Sequence, residues 1–267
     1  MFDLLTYPFF QRALVAIIFI SVAMAVTGVY VMSRRMIFIS GGITHACFGG
    51  LGLGYFLGVS PVAMAAVFAV GGSLGVDWLS RRARLRSDSA IAVIWAVGMA
   101  LGVLFIFLGD GYVPQLNTFL FGNVLTVTNS DLWMFGGFTL LLLLFFLLFR
   151  RSIETISFDR DFARVNRLPV TFIDTAMTLF VSLAIVLSIR LVGIMLLMSL
   201  LSLPQIIAET RCRRFGRLVV FSSVVALAGG VGGLFLSGCI GVPASATIVL
   251  LLAILFVIAK LLPAKSV

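Results

Sequence analysis

The sequence predicts an all-α membrane protein that crosses the bilayer eight or nine times. Its 267 residues are 61% hydrophobic and only 11% charged, whereas soluble domains are about half apolar and about a quarter charged. Long apolar runs recur along the whole chain, and each membrane span needs roughly 20 residues. We therefore expect a single transmembrane domain over residues 1–267, with no room for a second, soluble domain.

Nine apolar segments are candidate spans. The sixth and seventh are separated only by Arg190, so they form either a hairpin or one broken element. In chain order, the segments are residues 12–32, 36–57, 61–79, 89–109, 131–149, 171–189, 191–208, 217–236 and 244–261.

The basic residues are distributed unevenly between the two sets of loops. Seventeen of the 19 arginines and lysines lie in one alternate set, and only Arg12 and Arg190 lie in the other. Because basic loops stay in the cytoplasm, the sequence predicts a bacterial inner-membrane (plasma-membrane) protein with an external N-terminus and a cytoplasmic C-terminus. The net charge of +9 comes from these short clusters, so it indicates orientation in the lipid and argues against nucleic-acid binding.

Two loops are longer than simple turns. Residues 110–130 lie on the external side, and the apolar stretch 116–127 predicts a short interfacial or re-entrant helix. Residues 150–170 lie in the cytoplasm and combine mixed charge with Phe158 and Phe162. A spacing of four places both rings on one helical face. This predicts a short amphipathic helix for a cytoplasmic partner, with a solvated basic loop as the alternative.

Glycines and one proline mark particular spans. Gly50, Gly54 and Gly58 form a GxxxGxxxG stripe in the second span, a pattern typical of close helix packing. Pro204 lies in the seventh span and is expected to kink or end it near Leu203. Broken helices often mark transport pathways, although packing alone also tolerates them.

Motifs of self-contained catalysis are absent from the sequence. It has no G-x-x-x-x-G-K-[ST], and its only lysines are Lys260 and Lys265, so it cannot bind ATP through a P-loop. A single histidine makes a self-contained zinc hydrolase site implausible. All ten acidic residues fall at predicted span ends or in loops. This argues against a secondary transporter, since such proteins relay ions through intramembrane carboxylates.

A cluster of three polar residues lies inside the second predicted span: Ser40, Thr44 and His45. A histidine in the membrane is costly without a partner, so His45 is a functional candidate. His45 and Cys47 both suit zinc, but two positions apart on a helix they point about 200° away from each other. Thr44 is better explained as a backbone-bonded or interhelical hydroxyl than as a ligand. His45 is either a metal ligand or a histidine hydrogen-bonded between helices.

Five segments, in order and over nearly the whole chain, resemble the permeases of zinc, manganese and iron ABC importers. The first contains the Thr44-His45-Ala46 core, the second a leucine–phenylalanine–glycine motif, and the fourth a proline. The segments are residues 29–58, 116–132, 156–170, 191–209 and 242–256. The resemblance implies the vitamin-B12/metal-type ABC importer permease architecture. It also implies transport of a divalent metal ion, zinc first and then manganese or iron.

The chain departs from the family pattern at two positions. The family usually has an aspartate four residues before this histidine, where the chain has Gly41, and its external loop commonly reads Phe-Gly-Asp, where the chain has Asn123. The transit site is therefore either weaker or completed by another group, for which Met99, Cys239 and the backbone near Pro204 are candidates. The ligands expected along the pathway are His45, Cys47 and Met99.

The resemblance also implies partners. A second copy of the chain completes the pathway, two ATPase subunits bind ATP on the cytoplasmic side, and an extracellular or periplasmic metal-binding protein delivers the ion to the loop 110–130. The chain itself would be neither an enzyme nor the holder of a cofactor. The loop 150–170 would couple it to the ATPase through Phe158, Asp159, Asp161, Phe162 and Arg164.

Three other functions remain open: a permease for iron-siderophore, haem or cobalamin, an ion-coupled secondary transporter, and a scaffold with no pathway. Permeases for large ligands are usually longer and carry wide cavities. The length of the chain and the His45 motif therefore favour a bare ion.

Overall fold

The computed structural model describes residues 5–34, 36–82, 86–109 and 122–262, and nearly all of them are helical. These ranges contain no β-strand, which confirms the all-α prediction. Numbered along the chain, the helices are α1 Pro8–Ser33, α2 Ile37–Leu57, α3 Pro61–Arg82, α4 Ser87–Leu108, α5 Asn129–Phe158, α6 Arg160–Val165, α7 Val170–Leu200, α8 Leu203–Glu209, α9 Phe215–Ile240 and α10 Ala244–Leu261.

Eight segments in the described part of the chain are long and apolar enough to cross a membrane. Two of them, Val170–Ile189 and Leu191–Glu209, follow one another within α7 and α8. Helix α3 adds a shorter apolar stretch, Pro61–Val76. The expectation of eight or nine spans therefore agrees with the fold.

Helix α7 turns back on itself at Gly193. This residue has φ 72° and ψ 170°, a conformation open mainly to glycine. Before the turn, Val181 lines a small cavity beside Ile43 of α2; after the turn, Met198 contacts Thr44 on the same helix. A continuous helix would hold Val181 and Met198 about 25 Å apart, so the halves of α7 run antiparallel. Of the two alternatives for the sixth and seventh spans, the hairpin is correct.

Prolines and glycines set several helix ends. Pro204 stands in the first turn of α8, where its missing N–H costs no helical hydrogen bond. The preceding helix has already ended at Leu200. Gly58 is the left-handed cap of α2, with φ 66°, and a Cβ there would meet nothing within 4 Å. The expectation that Gly58 belongs to a packing stripe is therefore wrong, since this glycine ends the helix.

Helix α2 is wedged between α3 and α4. Gly50 and Gly54 face α3, where a Cβ on Gly50 would lie 2.7 Å from the Cα of Ala65. On the other side, a Cβ on Gly98 of α4 would lie 2.5 Å from the Cα of Ala46. Backbones approach this closely only where no side chain stands between them.

The bundle has two units. The α2–α4 unit is held by these glycine contacts, whereas the α1 unit consists of α1 packed on α5, α7 and α9, together with α10. Contact between the units comes chiefly from α7 against α2 and α3. The main core follows α1 and α7 and includes the fully buried Ile17, Ile20, Met24 and Ile185.

The two ends of the bundle differ in charge. Arg34 and Arg160 meet at one end, and Arg150 lies there beside Gly216; we call this the basic end. The opposite end carries the hairpin turn at Gly193 and the left-handed cap Gly241 of α9.

We expect Gly50→Ala to lower stability by about 1–3 kcal/mol, because the added methyl group overpacks the interface between α2 and α3. Thermal unfolding of the purified protein in detergent measures the effect. Gly137→Ala is the matched control: it lies in α5, a Cβ there meets nothing within 4 Å, and alanine favours the helix. Equal melting temperatures for the two variants would contradict the close packing of α2.

Candidate functional site

The polar group of α2 is present, and two of its three side chains bond within their own helix. Ser40 and Thr44 are buried. The Ser40 hydroxyl donates to the Ile37 carbonyl at 2.7 Å, and the Thr44 hydroxyl donates to the Ser40 carbonyl at 2.7 Å. These hydroxyls are therefore already engaged, and His45 is the member of the group left for other chemistry.

His45 is held by an aromatic partner on α4. Its ring is half-buried and stacks on Trp95, with centroids 4.2 Å apart and planes inclined by 5°. Its Nδ1 atom is buried and has no hydrogen-bond partner among the described residues. A buried, unpaired imidazole nitrogen is unfavourable, so this atom is available to a proton donor or a metal ion.

The other predicted ligands do not gather around His45. Cys47 is fully buried in the main core, on the far side of α2, so it cannot share an ion with His45. Met99 follows Trp95 by one helical turn and is partly buried, while Cys239 is exposed next to the last residue of α9. Within the described ranges, no three His, Cys, Asp or Glu side chains form a metal-binding group.

Met198 is a residue of this site that sequence reasoning missed. Its sulfur lies 3.7 Å from the Thr44 hydroxyl, and a Cβ on Gly41 would lie 3.2 Å from its terminal methyl group. The methionine thus occupies the space next to Gly41, one turn before His45 on α2. Only the hairpin at Gly193 brings it there, although the half-exposed Met195, Met198 and Ser199 share one helical face that the spacing alone suggests.

At the opposite end, the described part of the loop 110–130 contacts the hairpin turn. Gly122 has φ 69°, and a Cβ on it would overlap the backbone of Val192 and Gly193. Asn123 caps the next turn, accepting from the Leu125 N–H at 3.2 Å. A cavity of about 380 Å³ adjoins this contact and the start of α10.

The helix predicted over 116–127 is not formed in the part that the structure describes. Residues 122–127 contain only the 3-10 turn Val124–Thr126, and residues 110–121 lie outside the described ranges. Asn123 caps this short turn with its own side chain, an arrangement that competes with a longer helix.

At the basic end, a short helix is present in the predicted coupling loop. Asp159 is the N-cap of α6 and accepts from the N–H groups of Asp161 and Phe162 at 3.0 and 2.9 Å. Phe158 and Phe162 are 67% and 58% exposed. The prediction that they share one helical face is wrong, because Asp159, with φ −143°, separates the end of α5 from α6.

The exposed charges of α6 pair with each other. Arg164 meets Asp161 at 3.4 Å, and both side chains are largely in solvent. The end of the helix therefore presents two aromatic rings with a charged rim.

Three features of this fold and site together define a class of protein. A multi-pass helical bundle, an intramembrane histidine with an unpaired nitrogen and a span reversed at a glycine are features of a membrane permease. The sequence model of the ABC 3 transport family matches residues 6–262. The chain belongs to this family.

Relatives match along nearly their full length. An uncharacterized membrane protein of Synechocystis is 35% identical, covering 97% of this chain and 92% of that protein. The manganese transport system membrane protein MntC of Halalkalibacterium halodurans is 31% identical, and the match covers 96% of this chain and 88% of MntC. The chelated iron transport system membrane protein YfeD of Yersinia pestis is 32% identical, and the match covers 95% of this chain and 85% of YfeD.

A solved structure has the same fold. PsaBC from Streptococcus pneumoniae, in complex with a Fab, superposes with a TM-score of 0.88 at 26% identity, covering 98% of this chain and 94% of that one. This confirms the predicted permease architecture.

We expect Gly122→Ala to destabilise the protein more than Gly241→Ala. Both glycines are left-handed, with φ 69° and 75°, so both substitutions carry the cost of that conformation, roughly 1–2 kcal/mol. Only the methyl group at Gly122 also collides with the hairpin turn, whereas a Cβ on Gly241 meets nothing within 4 Å. Melting temperatures of the two variants in detergent give the comparison. A smaller loss for Gly122→Ala would show that the loop does not contact the turn.

Proposed function

We propose that this chain is the membrane-spanning permease subunit of an ABC importer for a divalent metal ion, and that the ion passes His45. The observation that carries the proposal is the family match over residues 6–262 combined with the unpaired Nδ1 of His45 inside the bundle. Relatives named for manganese and for chelated iron transport support metal as the substrate class.

The energy for transport comes from a separate ATPase subunit in this proposal. The sequence contains no P-loop, and ABC permeases depend on a partner for ATP hydrolysis. Ion coupling has little support, because the described buried carboxylates lie near helix ends: Asp131 in the capping box that starts α5, and Asp174 in the first turns of α7. The chain thus acts as a pathway and not as an enzyme.

The chemistry of the site favours zinc, with manganese and iron next. Imidazole and thioether groups are softer than carboxylates, and manganese prefers carboxylate, carbonyl and water oxygens. His45 and Met198 offer a nitrogen and a sulfur, and Met99 adds a second thioether on α4. A transit site binds its ion weakly, since the ion must leave again.

A second copy of the chain completes the pathway in this proposal. His45 is only half-buried within one chain, and Trp95 is also exposed on that face. A partner copy against this face would enclose the histidine and exclude lipid from the ion. The two copies would then alternate between outward-facing and inward-facing states.

The orientation follows from charge. The basic end faces the cytoplasm under the positive-inside rule, and the C-terminus lies there with it. Phe158 and Phe162 are then presented to the ATPase, with Asp159, Asp161 and Arg164 around them. The opposite end, with the loop 110–130, receives the ion from an extracellular or periplasmic metal-binding protein.

We expect His45→Ala to reduce zinc uptake at least about tenfold. Even mutation of a group that merely orients a metal ligand lowers metal affinity or activity by about 10–100-fold. The measurement is uptake of radioactive zinc by cells that express the permease with its ATPase and binding protein, at matched membrane levels. Cys47→Ala, two residues away on the core face, is the control and is expected to retain uptake. Normal uptake in His45→Ala would remove this histidine from the pathway.

We expect Phe162→Ala to abolish uptake by loss of the ATPase contact, leaving the permease folded. The control is Phe172→Ala, an exposed phenylalanine on α7 outside the short helix α6. Co-purification of the ATPase subunit with each permease variant measures the contact. Full retention of the ATPase together with normal uptake in Phe162→Ala would exclude the coupling role.

A further inference from the structure

A buried carboxylate ties helix α6 to the rest of the α1 unit. Asp174, in the second turn of α7, has a side chain only 15% exposed and pairs with the Arg160 guanidinium at 2.5 Å. Its Oδ1 accepts from the Tyr30 hydroxyl at 3.3 Å, and its Oδ2 lies 3.6 Å from Arg34 Nη2. Arg160 is the first residue of α6, and the other two partners belong to or directly follow α1. One carboxylate therefore joins three elements.

The same cluster also reaches the helix that leads into α6. Arg34 donates from Nη1 to the Ile156 carbonyl at 3.1 Å, in the last turn of α5. Helix α6 is thus attached twice at its N-terminal side, by Arg160 as its first residue and by the end of α5 before it.

The attachment through Arg160 differs in kind from the other ion pair of α6. The Asp161–Arg164 pair is 91% and 60% exposed, and such surface pairs contribute little. Asp174 and Arg34, at 15% and 18% exposure, lie where charges are poorly screened, and removing one partner of such a group is costly. Arg160 is therefore the charged residue through which α6 is held to the bundle.

The far side of the cluster borders open space. A cavity of about 380 Å³ separates Asp174 and Tyr30 from side chains of α2 and α3, among them Ile39 and Ser73. The cluster is thus bonded to α1 and α7 but not packed against the α2–α4 unit. The cavity leaves space beside the Asp174 cluster, whereas α7 contacts α2 and α3 directly.

We propose that Asp174 is a positioning residue for transport: it transmits displacement of α6 to α1 and α7 through Arg160, Tyr30 and Arg34. Helix α7 continues through the Gly193 hairpin to Met198, which touches Thr44 beside His45. Displacement of α6 therefore alters the contact between the α1 unit and the α2–α4 unit at the site of ion passage. This inference rests on the proposed function, because it requires an ATPase that acts on α6.

The test uses Arg160→Ala in the full complex of permease, ATPase and binding protein, reconstituted in proteoliposomes. The substitution removes the link from α6 but leaves Asp174 paired with Arg34 and Tyr30, so the buried carboxylate keeps partners. ATP hydrolysis and zinc uptake are measured in the same vesicles. We expect hydrolysis to continue while uptake falls, so that ATP consumed per zinc ion rises by roughly tenfold, within the range of ordinary coupling between sites.

Conservative and matched variants separate transmission from general damage. Arg160→Lys keeps the charge and is expected to recover much of the coupling ratio, and Asp174→Asn is expected to raise that ratio as Arg160→Ala does. Arg151→Ala removes an exposed arginine at the same end of α5 and is expected to leave the ratio unchanged.

Two outcomes would overturn the proposal. One is a wild-type ratio of ATP to zinc in Arg160→Ala with normal uptake. The other is loss of the ATPase subunit from the Arg160→Ala complex, which would make Arg160 part of the docking surface. A wild-type complex that hydrolyses ATP but takes up none of zinc, manganese and iron would instead refute the proposed function.

Discussion

The close approach of α2 to α3 and α4 is the contact on which the rest of this bundle depends. Glycines on both sides let the backbones meet, and Ala46 of α2 lies directly against Gly98 of α4. His45 precedes Ala46, so the same contact lays its imidazole along α4 and against Trp95. A polar ring in the membrane needs such cover. The stripe of small residues thus supports the packing and also orients the one intramembrane histidine.

The hairpin at Gly193 is the second constraint. It places the later half of α7 beside α2, so that Met198 of the α1 unit faces Gly41 and Thr44 of the α2–α4 unit. The segment at Gly122 secures the turn, because this glycine fits against the backbone of the turn and a larger residue would not. The candidate site therefore lies at a seam between two separately packed units. Such an arrangement suits alternating access, since packed units move as bodies while the seam between them changes.

The chemistry at the seam bears on which metal ion the site prefers. The family resemblance implies a carboxylate at the position of Gly41, and here a methionine methyl group lies against that position. A hard oxygen ligand is thus replaced in space by a soft sulfur from another helix. Under the proposed function, this change shifts the site from manganese towards zinc, while the fold stays that of the solved PsaBC structure.

By itself, the sequence determined the helical class, the positions of the spans, the basic end and the isolation of His45 within a span. These properties are local, because span length, charge and the absence of a motif are read from neighbouring residues. Tertiary structure alone decided that α7 reverses at Gly193, that Gly58 ends a helix, and that Phe158 and Phe162 lie on different helices. It also decided that Met198 meets Thr44 and that Asp174 joins Arg160, Arg34 and Tyr30. Those outcomes depend on backbone angles at single residues and on contacts between side chains far apart in the chain, and periodicity and composition carry no information about either.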